Sequence, residues 1–119
     1  MYNKENLCVR NHTNDYSLRS SQRGSIHTNL NATEDITIFL PASASMGTTF
    51  CFSVETLYTP PIQLRVDPGS AAIIDNSNQS KTPNKYIWAD SMGECISFVA
   101  DSNGDWLTTS KNGTWSMET

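Results

Sequence analysis

From Ser25 onward, apolar and polar residues alternate. Ile26, Thr28 and Leu30 form one row, Ile36, Ile38 and Leu40 a second, Phe50, Phe52 and Val54 a third, and Ile62, Leu64 and Val66 a fourth. A spacing of two is the period of a β-strand with one face covered. Pro41 stops the second strand because it lacks a ladder donor, and the small-residue run ASASMG leads to the third. Asp67-Pro68-Gly69 is a tight turn. The segment SAAIID and the residues around Tyr86, Ile87 and Trp88 are further short strands, separated by a polar loop from Asn76 to Asn84.

The last stretch carries two Asn-Gly pairs, Asn103-Gly104 and Asn112-Gly113, between segments rich in β-branched and aromatic residues. A type I′ turn needs positive φ at both central positions, which Asn and Gly tolerate most readily. Three antiparallel strands are expected, Cys95 to Asp101, Asp105 to Ser110 and Thr114 to the end, as a C-terminal β-meander. No segment has helical periodicity, so the fold expected is all-β. It is an antiparallel sandwich or a jelly-roll or barrel-like module of about eight strands.

Residues 1–24 show no such pattern. Leu7, Val9, Tyr16 and Leu18 are scattered among polar residues, and Arg10, Arg19 and Arg23 make the segment slightly basic. It reads as an N-terminal arm or irregular extension to a β-domain over 25–119. Such an arm either orders on a partner surface or is a mobile terminus.

At 119 residues the chain is one domain by length. Its 37% hydrophobic and 17% charged content, filled out by Ser, Thr and Asn, suits a turn-rich β-protein or one that completes its core by assembling. A net charge of −4 without a basic cluster argues against nucleic acid as partner. No apolar run is long enough for a membrane helix, and the polar start MYNKEN lacks a signal-peptide centre, which implies a cytosolic chain or one presented without its leader. Cys8, Cys51 and Cys95 read as reduced, buried small hydrophobes, with a Cys51–Cys95 bridge as the alternative.

Chemical motifs are sparse. Asp101-Ser102-Asn103-Gly104-Asp105 opens like a calcium loop, but Trp106 and Asn112 stand where an EF-hand needs Gly and Glu. Cys8 and His12, with His27 and Cys95, lack paired zinc-ligand spacing. No catalytic motif appears, the two His are expected to be exposed, and no metal or cofactor is expected. Trp88, Trp106 and Trp115 are candidates for stacking on a ligand or a neighbouring subunit, against the plainer reading that they pack in the core. Asn11, Asn31, Asn78 and Asn112 begin N-x-S/T triplets, which matter only in a secreted eukaryotic protein.

Leu40-Pro41, Gly47, Phe50 and Phe52, the row Ile62 to Val66, and Gly104, Trp106, Gly113 and Trp115 follow one another in a distinctive order. That succession, over residues 35–116, resembles a β-module of tailed-bacteriophage virion proteins. The module occurs in capsid decoration (cement) proteins and in tail-fibre or spike segments. The resemblance implies a non-enzymatic virion structural protein on the capsid exterior, a homotrimer that binds and stabilises the major capsid protein shell. Under this reading Leu7, Val9, Arg10, Tyr16, Leu18, Arg19 and Arg23 form a capsid-contact arm. A tail-fibre or lectin-like receptor- or carbohydrate-binding module is the alternative.

Overall fold

The computed structural model describes residues 8–119. Its strands are β1 (Val9–Asn11), β2 (Tyr16–Ser17), β3 (Ile26–Thr28), β4 (Ile36–Phe39), β5 (Thr49–Ser53) and β6 (Leu64–Asp67). They continue as β7 (Ile73–Ile74), β8 (Ile87–Ala89), β9 (Cys95–Ala100), β10 (Trp106–Asn112) and β11 (Ser116–Met117). Two sheets result, one of six strands in the order β1-β3-β5-β9-β10-β7 and one of five in the order β11-β8-β6-β4-β2. The all-β expectation holds, as a two-layer arrangement.

The pairing departs from the expected antiparallel plan. β1, β3 and β5 run parallel in one sheet, and β2, β4 and β6 run parallel in the other. The chain winds as a flattened coil, each strand followed by one in the opposite sheet. Every connection except β9–β10 crosses between sheets. The physical reason lies in the loops. A two-residue reversal needs residues that accept positive φ at both central positions, and the chain has Asn-Gly pairs only at 103–104 and 112–113. Longer connections carry the chain across the layers instead, and parallel neighbours follow from such crossovers.

Of the two Asn-Gly pairs, the first makes the expected hairpin and the second does not. In the β9–β10 turn only Gly104 takes a positive φ, +84°, while Asp101 Oδ1 accepts the N–H groups of Asn103 and Asp105, each at 2.9 Å. The carboxylate thus completes a longer loop than the type I′ turn expected. At the second pair Gly113, at φ +88°, directs the chain into the other sheet, where β11 pairs with β8. The meander therefore ends after two strands. Glu94 holds this crossing, its Oε2 accepting Thr114 N–H at 2.7 Å and its Oε1 accepting Ser91 N–H at 3.0 Å.

The core fills the space between the sheets. Ile36, Ile38, Leu64, Val66, Ile87 and Ala89 come from the five-stranded side, and Phe50, Phe52, Ile96, Phe98 and Trp106 from the other. The rings of Phe52 and Phe98 lie 5.9 Å apart, as do those of Phe50 and Trp106, both pairs tilted as aromatic quadrupoles prefer.

The described part of residues 1–24 is no arm. β1 and β2 extend both sheets, Leu18 is buried in the core, and its N–H bonds Phe39 O at 2.9 Å. Ile26 N–H reaches back to Cys8 O at 2.9 Å, so the chain has no seam at residue 24. Strands of two and three residues are too short to show alternation, which is why this stretch looked irregular in the sequence. Leu7 lies outside the described residues.

In the first alternating row only Thr28 is buried. His27 points into the core and is fully buried, while Ile26 is half-buried on the outer face and Leu30 is exposed. The cysteines are free, as expected, but not buried: Cys8 is exposed and Cys51 and Cys95 are half-buried. Cys51 pairs across with Ser97 and Cys95 with Ser53, a diagonal relation that leaves no bridge.

Candidate functional site

The register fixes which side chains share the outer face of the six-stranded sheet. One row runs Val9, Ile26, Cys51, Ser97 and Ser110, and a second Asn11, Thr28, Ser53, Cys95 and Asn112. A third runs Thr49, Val99, Leu107 and Ile74. None of these positions carries a charge. Cations appear only at the two ends of an inward row, Arg10–His27–Phe52–Ile96–Lys111, where they sit at the sheet margins. Inward charge at a margin discourages strand addition there.

The outer face of the five-stranded sheet is the opposite. Its central row is Thr37, Arg65, Trp88 and Ser116, flanked by the row Ser17, Phe39 and Asp67. Arg65 and Asp67 lie within these rows, and at the strand ends Asp15 and Asp35 accept the N–H groups of Thr37 and Gln63 while Glu118 accepts that of Tyr86. Arg65 is held firmly: its Nη2 bonds Asp35 Oδ2 at 3.0 Å, its Nε bonds Gln63 Oε1 at 2.7 Å, and its guanidinium lies 5.0 Å from the centre of the Tyr86 ring.

Beneath the N-terminal strands runs a relay of polar groups. Ser25 Oγ donates to Gln22 O at 2.5 Å and lies 2.7 Å from His27 Nε2, while His27 Nδ1 is 2.9 Å from His12 Nε2. Because Ser25 spends its proton on the carbonyl, it accepts from His27 Nε2–H. His27 Nδ1 is then the acceptor for His12 Nε2–H, which assigns both tautomers. The Tyr16 ring covers His12 at 4.6 Å, and Gln22 Nε2 donates to the Tyr16 hydroxyl at 2.8 Å. Burial holds the His27 pKa down to about 4, with His12 and then Arg10 adding to the effect. Burial, then Arg10, lowers that of His12 as well. Both rings are neutral at pH 7.

A serine and two histidines in line resemble a nucleophile with its base, but the protons run the wrong way. Ser25 receives a hydrogen bond from His27 and is itself buried, so nothing raises its nucleophilicity. The histidines were expected at the surface. The signal that would have located them is Ser25-x-His27, a spacing that puts both side chains on one face of a strand. The contribution of His12 depends on the crossover and is not legible locally.

The tryptophans separate. Trp106 and Trp115 are in the core, as the plainer reading had them, and Trp115 Nε1 donates to Asn112 O at 3.2 Å. Trp88 is half-buried on the charged face, between Arg65 and Ser116. The residues assigned to a capsid-contact arm also scatter: Val9, Arg10, Arg19 and Arg23 are exposed, Tyr16 is half-buried on the relay, and Leu18 is in the core.

Other motifs resolve into local structure. Asp101 and Asp105 spend carboxylate oxygens on backbone N–H groups, Asp105 Oδ1 accepting Ala72 N–H at 3.0 Å. Among the described residues no three His, Cys, Asp or Glu side chains gather as metal ligands would. Asn78 is buried with its amide engaged by Ile73 O, Thr82 O and Thr82 N–H, so its triplet organises the 75–84 loop. A groove of about 320 Å³ at one end of the sandwich is lined by Leu30, Ala32, Thr56, Leu57 and Tyr58. No helix among the described residues is long and apolar enough to cross a membrane. A scan against protein-family models finds no match for this chain, and a search of curated proteins finds no relative.

Proposed function

We propose that this chain is a non-enzymatic structural protein of a tailed-bacteriophage virion, a capsid decoration protein that binds and stabilises the major capsid protein shell as a homotrimer. The observation that carries this reading is the unequal division of charge between the two outer faces. A face whose paired rows of Val, Ile, Leu, Cys, Ser, Thr and Asn hold no ionised group loses little hydration when those rows are covered, because no ion must be stripped of water. A face with Arg65 and Asp67 in its rows and Asp35 paired to Arg65 stays in solvent at no such cost. A two-sided module of this kind is suited to lie against a protein lattice on one side and face outward on the other, and many identical copies add weak contacts through multivalency. The order of motifs over residues 35–116 points to the same class of protein.

Residues 8–24 belong to the folded sandwich, so the contact assigned to an arm passes to the neutral face. Light scattering behind a sizing column gives the first test, with a mass of about three chains expected. Ser97→Lys places a charge at the centre of the neutral face. It should abolish trimer formation and binding to shells of the major capsid protein while the monomer stays folded, whereas Thr37→Lys on the other sheet should leave both intact. A monomeric wild type with no affinity for such shells overturns the proposal.

A further inference from the structure

The charged face carries an arrangement that the structural role does not need. Trp88 lies in its central row with Arg65 across one side and Ser116 across the other. A serine covers little of an indole, and Trp88 keeps part of its surface in solvent. Two residues earlier on the same stretch, the Tyr86 ring supports the guanidinium of Arg65 at 5.0 Å. Gln63 and Asp35 fix that guanidinium through Nε and Nη2, which leaves Nη1 free to donate. Phe39 is a further exposed ring on this face. Flat apolar surfaces thus stand beside a pinned donor and carboxylate acceptors on rigid strands.

We infer that the outer face of the five-stranded sheet is a binding platform for neutral saccharides, centred on Trp88, Arg65 and Tyr86. A pyranose ring has an apolar C–H face and a rim of hydroxyls, each both donor and acceptor. The C–H face stacks on the exposed part of Trp88. Hydroxyls accept from Arg65 Nη1 and donate to the carboxylate of Asp67, which lies beside Phe39 and two residues from Arg65 on the same strand. Charge selects the class of sugar: around the aromatic residues Asp35, Asp67 and Glu118 outnumber Arg65, so sialylated or sulfated chains and nucleic acids are repelled. Uncharged hexose and N-acetylhexosamine chains are not. The strands hold these groups in place before a ligand arrives, which lowers the ordering cost of weak binding. The inference is independent of what the neutral face meets.

Trp88 also supplies the readout. It is the half-exposed tryptophan of the three, so a fluorescence change on stacking reports this site and not the core. Purified full-length chain is titrated with linear oligomers of glucose, galactose and N-acetylglucosamine, and in parallel with a sialylated and a sulfated oligosaccharide. At least one neutral oligomer should give a saturable blue shift in the millimolar range, and the acidic sugars should give none. Trp88→Ala removes the reporter with the site, so it is read by NMR titration of backbone amides, where saturable binding should be lost. Trp88→Phe, which keeps a ring and guards against a folding defect, should still bind, about tenfold more weakly by NMR titration of backbone amides. Leu107→Ala on the neutral face should change nothing. Absence of saturable binding across the neutral panel overturns the inference, as does binding retained in Trp88→Ala or equal binding of acidic chains. Each of these outcomes leaves the trimer and shell-binding tests of the neutral face untouched.

Discussion

His27 and His12 are joined ring to ring, Nδ1 to Nε2 at 2.9 Å, and His27 has no solvent to receive a second proton. Protonating His27 at Nδ1 turns its acceptor into a donor facing another donor. Arg10, on the neighbouring edge strand, adds positive charge to the site at every pH of interest.

Acid should therefore destabilise the fold through this pair. His27 has an ordinary pKa of 6.5 when unfolded and about 4 when folded, so the unfolded state binds the proton first. The stability contribution is complete above 6.5 and is lost as the pH falls toward 4. The full shift corresponds to about 3 kcal/mol. Urea unfolding across this window should show the loss, and His27→Gln, which cannot titrate, should flatten the slope even if its stability at pH 7 is lower.

Gly113→Ala should cost far more than Gly104→Ala. Both glycines have positive φ, but a Cβ at 104 meets open space whereas one at 113 runs into the Glu94 side chain. The conformational penalty alone is about 1–2 kcal/mol. Displacing Glu94 also breaks its bonds to Ser91 and Thr114, so about 3–4 kcal/mol is expected for Gly113→Ala. Thermal melts of the two variants side by side give the comparison.

Lys111→Met should destabilise the loop after β7. Lys111 Nζ lies 3.0 Å from both oxygens of Asp75, whose side chain is almost fully buried. Burial pushes the Asp75 pKa up, but hydrogen bonds from Ser77 and Lys111 outweigh it and hold the carboxyl below its ordinary value. Removing the ammonium leaves a buried carboxylate short of partners, at about 1–3 kcal/mol. The loss should be largest near neutral pH and shrink as acid protonates Asp75 in the variant. Guanidinium unfolding at two pH values measures it.

Leu18→Ala should cost about 2–5 kcal/mol, the range for a fully buried leucine. Val9→Ala, at a residue 60% exposed, should stay within about 0.5 kcal/mol. A free N-terminal arm would make both substitutions silent, so the contrast in chemical denaturation tests whether this stretch belongs to the sandwich.

The strands with long alternating rows were legible in the sequence: Ile36 to Leu40, Phe50 to Val54 and Ile62 to Val66 all bury the predicted faces. The β9–β10 hairpin was legible from Asn103-Gly104 and the acids around it. The parallel winding was not, because nothing local to a two-residue strand such as Tyr16–Ser17 says which sheet it joins. Ile26 misled because the six-stranded sheet carries Val9, Ile26, Ile74, Val99 and Leu107 among the uncharged residues of its outer face, so apolarity there does not mark the core. The histidine relay stayed hidden for a related reason: His27 is a polar residue at an inward position, satisfied by partners that only the crossovers bring near. Trp88 was picked out together with Trp106 and Trp115, and composition alone offered no way to tell the exposed ring from the buried two.

The winding of the chain bears on how the molecule takes a load. In a sandwich made of hairpins, each sheet is a separate length of backbone, and the layers part when dispersion contacts fail. Here the backbone laces the two layers together at every step but the β9–β10 turn, so traction perpendicular to the sheets falls on peptide bonds spaced along the whole width. Pulled face from face, the module should stretch its stitches before it opens.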